Sequence, residues 1–330
     1  MKGLNKVALA TAVAAAPFAA QAELTAMSDQ AMGNTTGQAG VTIELDTQVS
    51  MDQIQYDQGK DTGSVLMNNL DIAGVGGPGF GDGLDVTVDV DLAKDGESLS
   101  DYNQKIAAPG VGTGNDLDLN DGDALISVGN LKGSGAVDMN VKLGEGDATG
   151  ELGDASNDGK AMQLADSDGD AQATLISDIN MDVFMSQLDI VARTDNKVGG
   201  DADSGSLEIE TAFAIDNLDA QFDVASVNIQ GMRMAGADSL GALKSTGPGS
   251  TADPTAINHA VVSMDIGQGG AVASDVDQAL NINLDNFTAD IWMPEVNVGT
   301  GDGNNVASIG RVGIDNLNIS ETEIAVYGRE

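Results

Sequence analysis

The sequence predicts an all-β protein with very little helix, and three observations lead to this prediction. Apolar and polar residues alternate in many segments, which is typical of strands with one buried face and one solvated face. Clusters rich in Gly and Asp separate these segments and predict turns. No long segment has helical periodicity, and only residues 28–32 and 235–243 are candidates for a helical turn or a short helix.

The clearest predicted strand is 84–92, in which Val and Leu point to one face and mainly Asp to the other. The same alternation predicts strands at 41–45, 49–51, 137–143, 207–209, 213–215, 280–284, 314–319 and 324–326. Three arrangements fit these strands: an elongated amphipathic sheet, a β-sandwich-like fold and an irregular β-solenoid.

A short motif recurs inside several of the predicted strands, with a polar residue placed before an apolar one. Its copies are Asn69-Leu70-Asp71-Ile72, Gln187-Leu188-Asp189-Ile190, Asn217-Leu218-Asp219, Asn286-Phe287 and Asn316-Leu317-Asn318-Ile319. One interpretation is a solenoid whose coils stack these positions in register. The other is that amphipathic strands of biased composition resemble one another, since the spacings between the copies are irregular.

The N-terminus has the features of a secretory signal peptide in the expected order. Lys2 and Lys6 precede an apolar run at 7–16, and Ala20-Gln21-Ala22 fits a cleavage site. We therefore expect a signal peptide at 1–22, an N-terminal motif with the first strand at 23–45, and a single elongated β domain at 46–330. The Ser-, Gly- and Pro-containing segment 245–254 is a candidate subdomain break. No later segment is apolar enough for a membrane-spanning helix.

The charge of the chain excludes several classes of partner. It has 52 Asp plus Glu against 14 Lys plus Arg, a formal net charge of −38, one His and no Cys. Such a polyanion repels nucleic acids and anionic membrane surfaces. Without cysteines, disulfides and thiol chemistry are excluded as well.

Three Asp-rich segments are candidate Ca²⁺ loops, because hard oxygen ligands suit this ion. The candidate ligands are Asp154, Ser156, Asp158, Asp166, Asp168, Asp170, Asp116, Asp118 and Asn120. The segment from Asp154 to Gly159 matches the first six positions of an EF-hand loop, but Ala165 stands where that loop carries a bidentate Glu. The competing interpretation is that each segment is a solvated acidic turn.

The sequence contains few of the residues and motifs that are typical of active sites. His259 is the only histidine, the chain has no Gly-x-Ser-x-Gly motif, and Trp292 is the only tryptophan. A single His without Cys excludes the usual zinc sites. Carboxylate pairs are available for a glycan hydrolase, but such sites are usually lined with aromatic residues, which are scarce here. We therefore expect no catalytic residues.

The segment after the cleavage site is the most specific motif of the chain. Leu24, Met27-Ser28-Asp29 and Thr36-Gly37-Gln38-Ala39-Gly40 precede the first alternating strand. This start resembles that of exported gammaproteobacterial proteins of unknown biochemistry, some of which are labelled pilus-system (Fil-type) proteins. The last twenty or so residues are loosely similar to the ends of such proteins. The resemblance implies a role in the envelope or at the surface, and no active site.

These observations favour a non-catalytic exported protein of the cell envelope or surface, such as a pilus-associated filament component or a matrix component. Expected partners are other envelope or surface proteins and further copies of the chain. The expected location is the outer-membrane surface, the extracellular space or the periplasm. A calcium-dependent secreted binding module is the alternative, and a glycan hydrolase is a third hypothesis.

Overall fold

The computed structural model describes most of the chain after the N-terminal motif. The described residues are 40–57, 62–74, 83–93, 119–130, 136–145, 159–198, 204–247, 258–269, 279–299 and 307–327. They all fall in one compact unit, Gly40–Glu330. The predicted signal peptide, the segment 23–39 and the helical turn predicted at 28–32 lie outside them.

The described residues form an antiparallel sheet of fourteen strands, which confirms the all-β prediction. The strands are β1 (Val41–Thr47), β2 (Val49–Asp57), β3 (Ser64–Gly74), β4 (Leu84–Leu92), β5 (Ala124–Asn130), β6 (Val137–Leu143), β7 (Met162–Ala165), β8 (Ala171–Ile176), β9 (Asp178–Arg193), β10 (Ser206–Phe222), β11 (Val227–Ala235), β12 (Ala260–Gly269), β13 (Ala279–Val298) and β14 (Ala307–Val326). Helical structure in this part of the chain is limited to α1 (Leu240–Ser245) and a 3₁₀ turn at Asp223–Ala225. The described strands make a single sheet in which all pairings are antiparallel.

Long strands define the width of the sheet. At about 3.3 Å per residue, the 20 residues of β13 and of β14 each span about 65 Å. β11 and β12 both lie between β10 and β13, and each pairs with about half of the length of these two long strands. On the other side of β9, β5 and β6 share its free edge in the same way. β4 and β3 follow, and β1 and β2 form the far edge, while β7 joins β3 to β8.

Alternation gives the sheet one apolar face and one polar face. One row of paired residues crosses eight strands and is almost entirely apolar: Ile43, Val88, Val128, Leu188, Thr211, Val262, Phe287 and Ile319. The adjacent row is polar throughout: Thr42, Asp89, Ser127, Asp189, Glu210, Ser263, Asn286 and Ser320. Successive residues of a strand point to opposite faces, so the two rows lie on opposite sides of the sheet.

The recurring motif marks the places where this alternation reverses. Ser186, Asp216 and Asp285 are extra residues in the ladders of β9, β10 and β13, and a copy of the motif starts directly after each one. Asn69 and Asn316, which start the other two copies, have left-handed backbones with φ of 50° and 55°. An extra or left-handed residue lets a long strand twist and keeps its apolar side chains on one face. The motif therefore identifies irregularities of the strands, not the coils of a solenoid.

Several of the predicted strands are parts of longer observed strands. The segments predicted at 207–209 and 213–215 belong to one strand, β10, and those at 314–319 and 324–326 both belong to β14. A short helix is present near the predicted position 235–243, but it begins at Leu240. The candidate break at 245–254 falls mostly outside the described residues. β11 and β12, on either side of it, both pair with β10 and β13.

Candidate functional site

The predicted calcium ligands of the second Asp-rich segment lie in the turn between β7 and β8. The Oδ1 atom of Asp166 accepts hydrogen bonds from the backbone N–H groups of Asp168 and Asp170, both at 3.0 Å. Its Oδ2 atom accepts one from the Nε2 atom of Gln172 at 2.7 Å. Asp168 and Asp170 are exposed. The Asp166 carboxylate thus organises its own turn, as an Asp at the start of a turn commonly does.

Asn120 is the one described member of the 116–120 set, and its contacts are those of a loop residue. Its backbone N–H donates to the Asp123 Oδ2 atom at 2.8 Å, and its Nδ2 atom donates to Asp195 at 3.0 Å. Asp116, Asp118, Asp154, Ser156 and Asp158 lie outside the described residues. Across the described ranges, no three His, Cys, Asp or Glu side chains are grouped so that they could hold a metal ion.

Asp123 and Arg193 form a buried network that sequence reasoning did not identify. Burial of Asp123 opposes its ionisation, but hydrogen bonds from Asn120 and Thr194 and the charge of Arg193 outweigh this effect and lower its pKa. The Nε atom of Arg193 donates to Glu208 at 2.6 Å, and its Nη1 atom lies 3.4 Å from Asp123. The network fastens the 119–123 loop to β9 and β10, so its role is structural.

The only histidine pairs with a serine in the centre of the sheet. The Nδ1 atom of His259 lies 2.8 Å from the Oγ atom of Ser186, and both side chains are buried. The Ser186 hydroxyl donates to the carbonyl oxygen of Ala212 at 3.1 Å. A nucleophile–base pair needs the hydroxyl proton directed at the imidazole and needs access for a substrate. This pair instead satisfies the polar groups at the β9 irregularity.

A second buried network holds α1 on the polar face. Arg233 of β11 is buried, and its Nη2 atom forms an ion pair with Asp216 at 2.5 Å. Its Nη1 atom donates to the carbonyl oxygen of Thr246 at 3.1 Å, at the end of the helix. The network joins the irregularity of β10 to the helix, which is otherwise too short to be stable.

Asp290 of β13 anchors the beginning of the same helix. Its Oδ2 atom accepts the backbone N–H groups of Ser239 and Leu240 at 2.6 and 2.8 Å, so it replaces the N-cap side chain. Its Oδ1 atom accepts the N–H group of Asn316 at 2.5 Å. No sequence pattern predicts this cap, because the helix and the carboxylate lie on separate elements.

Two further aspartates of the polar face have pKa values raised to about 6. Burial is the main cause for Asp138, and the negative charges of Asp182 and Asp216 add to it. Burial also leads for Asp265, followed by the charges of Glu208 and Asp285. Within the part of the chain that is described, one carboxylate oxygen of each is buried without a hydrogen bond. Ionised, these two buried aspartates of the polar face destabilise the folded protein.

The edges of the sheet include its most exposed strands. β1 and β2 form one edge and β14 another, while β8 ends the sheet beyond β7; among the described strands each of these four pairs with only one neighbour. Apolar side chains remain exposed on both edges, as shown by Ile43 at 44 % and Ile319 at 37 %. Both ends of the described part of the chain thus belong to edges, with residues 41–47 in β1 and residues 307–326 in β14. Long exposed edges with apolar side chains are templates for pairing with another chain.

The comparisons with known proteins match only the N-terminal part of the chain. No helix among the described residues is both long and apolar enough to cross a membrane. No curated protein and no solved structure matches the chain. A family of unknown function (DUF6160) matches residues 1–95, which include the N-terminal motif at 24–40 and the edge strands β1 and β2.

Proposed function

We propose that this protein is a non-catalytic, exported component of the cell envelope or cell surface that joins further copies of itself through the edges of its sheet. The observation that carries the proposal is that the first and last described strands both lie at free edges of the sheet. A pilus-associated filament or a matrix is the assembly that such a subunit would build. The resemblance of residues 24–45 to exported proteins, some with pilus-system labels, supports the same role.

The directions of the strands favour head-to-tail assembly. Seven antiparallel pairings lead from β1 through β4, β5, β9, β10, β12 and β13 to β14. Each pairing reverses the chain direction, so β1 and β14 run antiparallel. A copy displaced sideways therefore places its β1 antiparallel to β14, as for every other pair in the sheet. Contacts between two different surfaces extend into filaments when they do not close into a ring.

The charges of the edges make this assembly dependent on salt. β1 and β2 carry Glu44, Asp46, Asp52 and Asp57 with no Lys or Arg, and β14 carries three acidic residues and one Arg. Like charges facing each other across two strands oppose pairing. Screening over about 8 Å at physiological ionic strength reduces this repulsion. We expect larger assemblies at physiological salt than at low salt.

The test compares two edge variants with a matched control in the mature chain, residues 23–330. Ile43→Asp and Ile319→Asp place a charge on the two edges, whereas Leu280→Asp changes a residue of similar exposure (49 %) on β13, which is paired on both sides. Analytical ultracentrifugation and negative-stain microscopy measure assembly. The edge variants should shift the distribution towards monomer, and Leu280→Asp should not. A monomeric parent chain contradicts the proposal, as does dissociation by Leu280→Asp alone, which would indicate packing through the apolar face.

Export is tested separately. Mass spectrometry of the protein from fractionated cells should find a chain beginning at Glu23 in the envelope or extracellular fraction. An uncleaved chain in the cytoplasm would refute export.

Deletion of residues 24–40 tests the role of the N-terminal motif at the β1 edge. A shift towards aggregates identifies a cap over that edge, a shift towards monomer identifies a donor segment, and no change removes the motif from assembly.

A further inference from the structure

A cavity of about 280 Å³ lies beside α1, between the helix and the strands β13 and β14. The lining residues that matter here are Arg233, Lys244, Thr246, Trp292, Pro294 and Arg311. Basic residues are scarce in this chain, so three of them around one cavity need an explanation.

Two of these three cations have no carboxylate partner among the described residues. The described residues include seven Lys and Arg, and Lys142, Arg193, Lys197 and Arg233 form ion pairs with acidic side chains. Lys160 has a polar partner as well. Lys244 and Arg311 are both exposed, and within the described part of the chain neither charged group makes an ion pair or a hydrogen bond. The two unpaired cations of the described residues thus line the same cavity.

The carboxylates near the cavity are already engaged. Asp216 is paired with Arg233, and both oxygens of Asp290 accept backbone N–H groups. Glu295 of β13 accepts a hydrogen bond from Asn297 at 2.9 Å. Among the described residues, the charged groups that line the cavity are therefore all cations, in a chain whose net charge is −38.

The apolar wall of the cavity is built by Trp292. The Lys244 ammonium lies 5.4 Å from the centre of the indole ring, within the range of a cation–π contact. Gly313 of β14 lies against the same two side chains, and an added Cβ would meet the Lys244 Cε atom and an indole carbon at 3.4 Å. Arg233, held by Asp216 and Thr246, forms a fixed part of the lining. The cavity thus has a rigid aromatic side and two adjustable cations.

We infer that this cavity binds a small carboxylate of monosaccharide size, such as a sugar acid. A carboxylate suits both cations, because the Arg guanidinium offers a planar pair of donors and the Lys ammonium a point charge. The cavity volume of about 280 Å³ is near the lower end of the roughly 300–1,000 Å³ of small-molecule pockets, which suits a ligand with one sugar ring. Trp292 and Pro294 provide the apolar contact that such a ring makes beside its polar groups.

The test uses the fluorescence of Trp292, which is the only tryptophan of the chain and so reports on this cavity alone. The mature protein is titrated at physiological salt with glucuronate, with glucose as the uncharged ring, and with inorganic phosphate as an anion without a ring. Concentrations extend to about tenfold above a millimolar Kd. We expect a saturable change with glucuronate and none with glucose.

Variants locate the binding. Lys244→Gln with Arg311→Gln should raise the Kd for glucuronate at least tenfold, and each single variant should have a smaller effect. Lys197→Gln removes an exposed Lys paired with Asp195 at 3.0 Å and should leave the Kd unchanged. Melting curves establish that the double variant is folded.

Four outcomes would overturn the inference. The first is the absence of a saturable change with glucuronate, and the second is an equal response to glucose. The third is an affinity for phosphate equal to that for glucuronate, which would identify an adventitious ion only. The fourth is a double variant that binds as the parent does.

Discussion

The centre and the edges of this sheet differ in strand pairing and in the exposure of their side chains. In the centre, β9, β10 and β13 are paired on both sides, and buried polar groups such as Ser186, Asp216 and Asp290 have specific partners. At the edges, β1, β2 and β14 have one neighbour each and keep apolar side chains exposed. The central strands have backbone partners on both sides, whereas the edge strands retain a free side that can pair. We therefore expect stability to depend mainly on the centre and the proposed assembly to depend on the edges.

The largest expected effect is the loss of a buried cation. Arg233→Met leaves Asp216 buried without its partner, and breaking such a pair costs about 3–5 kcal/mol. Arg311→Met is the matched control, because Arg311 is exposed on an edge strand and unpaired among the described residues; we expect it to change the free energy of unfolding by less than about 0.5 kcal/mol. Chemical denaturation measures both. Equal effects of the two substitutions would contradict the division between centre and edge.

Truncation of isoleucines gives a second measure of the same contrast. Ile215 belongs to the main apolar cluster and is 7 % exposed, so Ile215→Ala should cost about 2–5 kcal/mol. Ile319 is 37 % exposed on β14, and Ile319→Ala should cost less than about 1 kcal/mol in the monomer. Denaturation midpoints at low protein concentration test this. A cost for Ile319→Ala as large as that for Ile215→Ala would show that the edge is part of the core.

The sequence predicts which segments form strands better than it predicts where each strand begins and ends. The class of the fold and the positions of the amphipathic segments follow from alternation and Gly/Asp punctuation, because these patterns are local. The continuity of β10 and β14 was missed, because Thr211 interrupts the apolar alternation of β10 and Glu321, with a left-handed φ of 53°, separates the two apolar segments of β14. The recurring motif was the available signal, because each copy starts where the alternation reverses.

The polar contacts of the centre could not be predicted from local pattern. Asp290 caps a helix from a distant strand, and Asp123 accepts a hydrogen bond from the backbone of Thr194 at 2.7 Å. These pairs depend on the register of strands far apart in sequence, which alternation alone does not specify. Asp-rich segments, in contrast, are conspicuous in the sequence, but the described ones serve their own turns or loops. Composition identified the acidic residues without identifying their partners.

The polar face of the centre should make the protein more stable as the pH falls below neutrality. The pKa values of Asp138 and Asp265 are raised to about 6 in the folded state, above the unfolded value of 3.8. Their contribution to stability is therefore fully present below the unfolded value and is lost as the pH rises through about 6. Asp123 has the opposite sign: its pKa is lowered, so its contribution is lost only as the pH falls below the unfolded value.

Melting curves between pH 7 and pH 4 measure this effect. The melting temperature should rise towards the acidic end of this range, and Asp138→Asn with Asp265→Asn should remove most of the rise. Asp315→Asn, on the exposed edge strand β14, serves as a control and should retain it. A parent chain that loses stability steadily from pH 7 downwards would show that paired carboxylates outweigh the two unpaired ones.

The smallest expected effect concerns calcium at the Asp-rich segments, of which residues 166–170 form the turn between β7 and β8. If residues 154–170 bind the ion with the Kd of about 10⁻⁴–10⁻³ M typical of extracellular modules, millimolar calcium stabilises the protein by about 1 kcal/mol. Magnesium should have a weaker effect, because it sheds its water reluctantly. Asp158→Ala with Asp168→Ala should abolish the difference between the ions. Melting temperatures that rise equally with both ions, or a difference that survives the double substitution, would reduce the effect to general screening of the net charge.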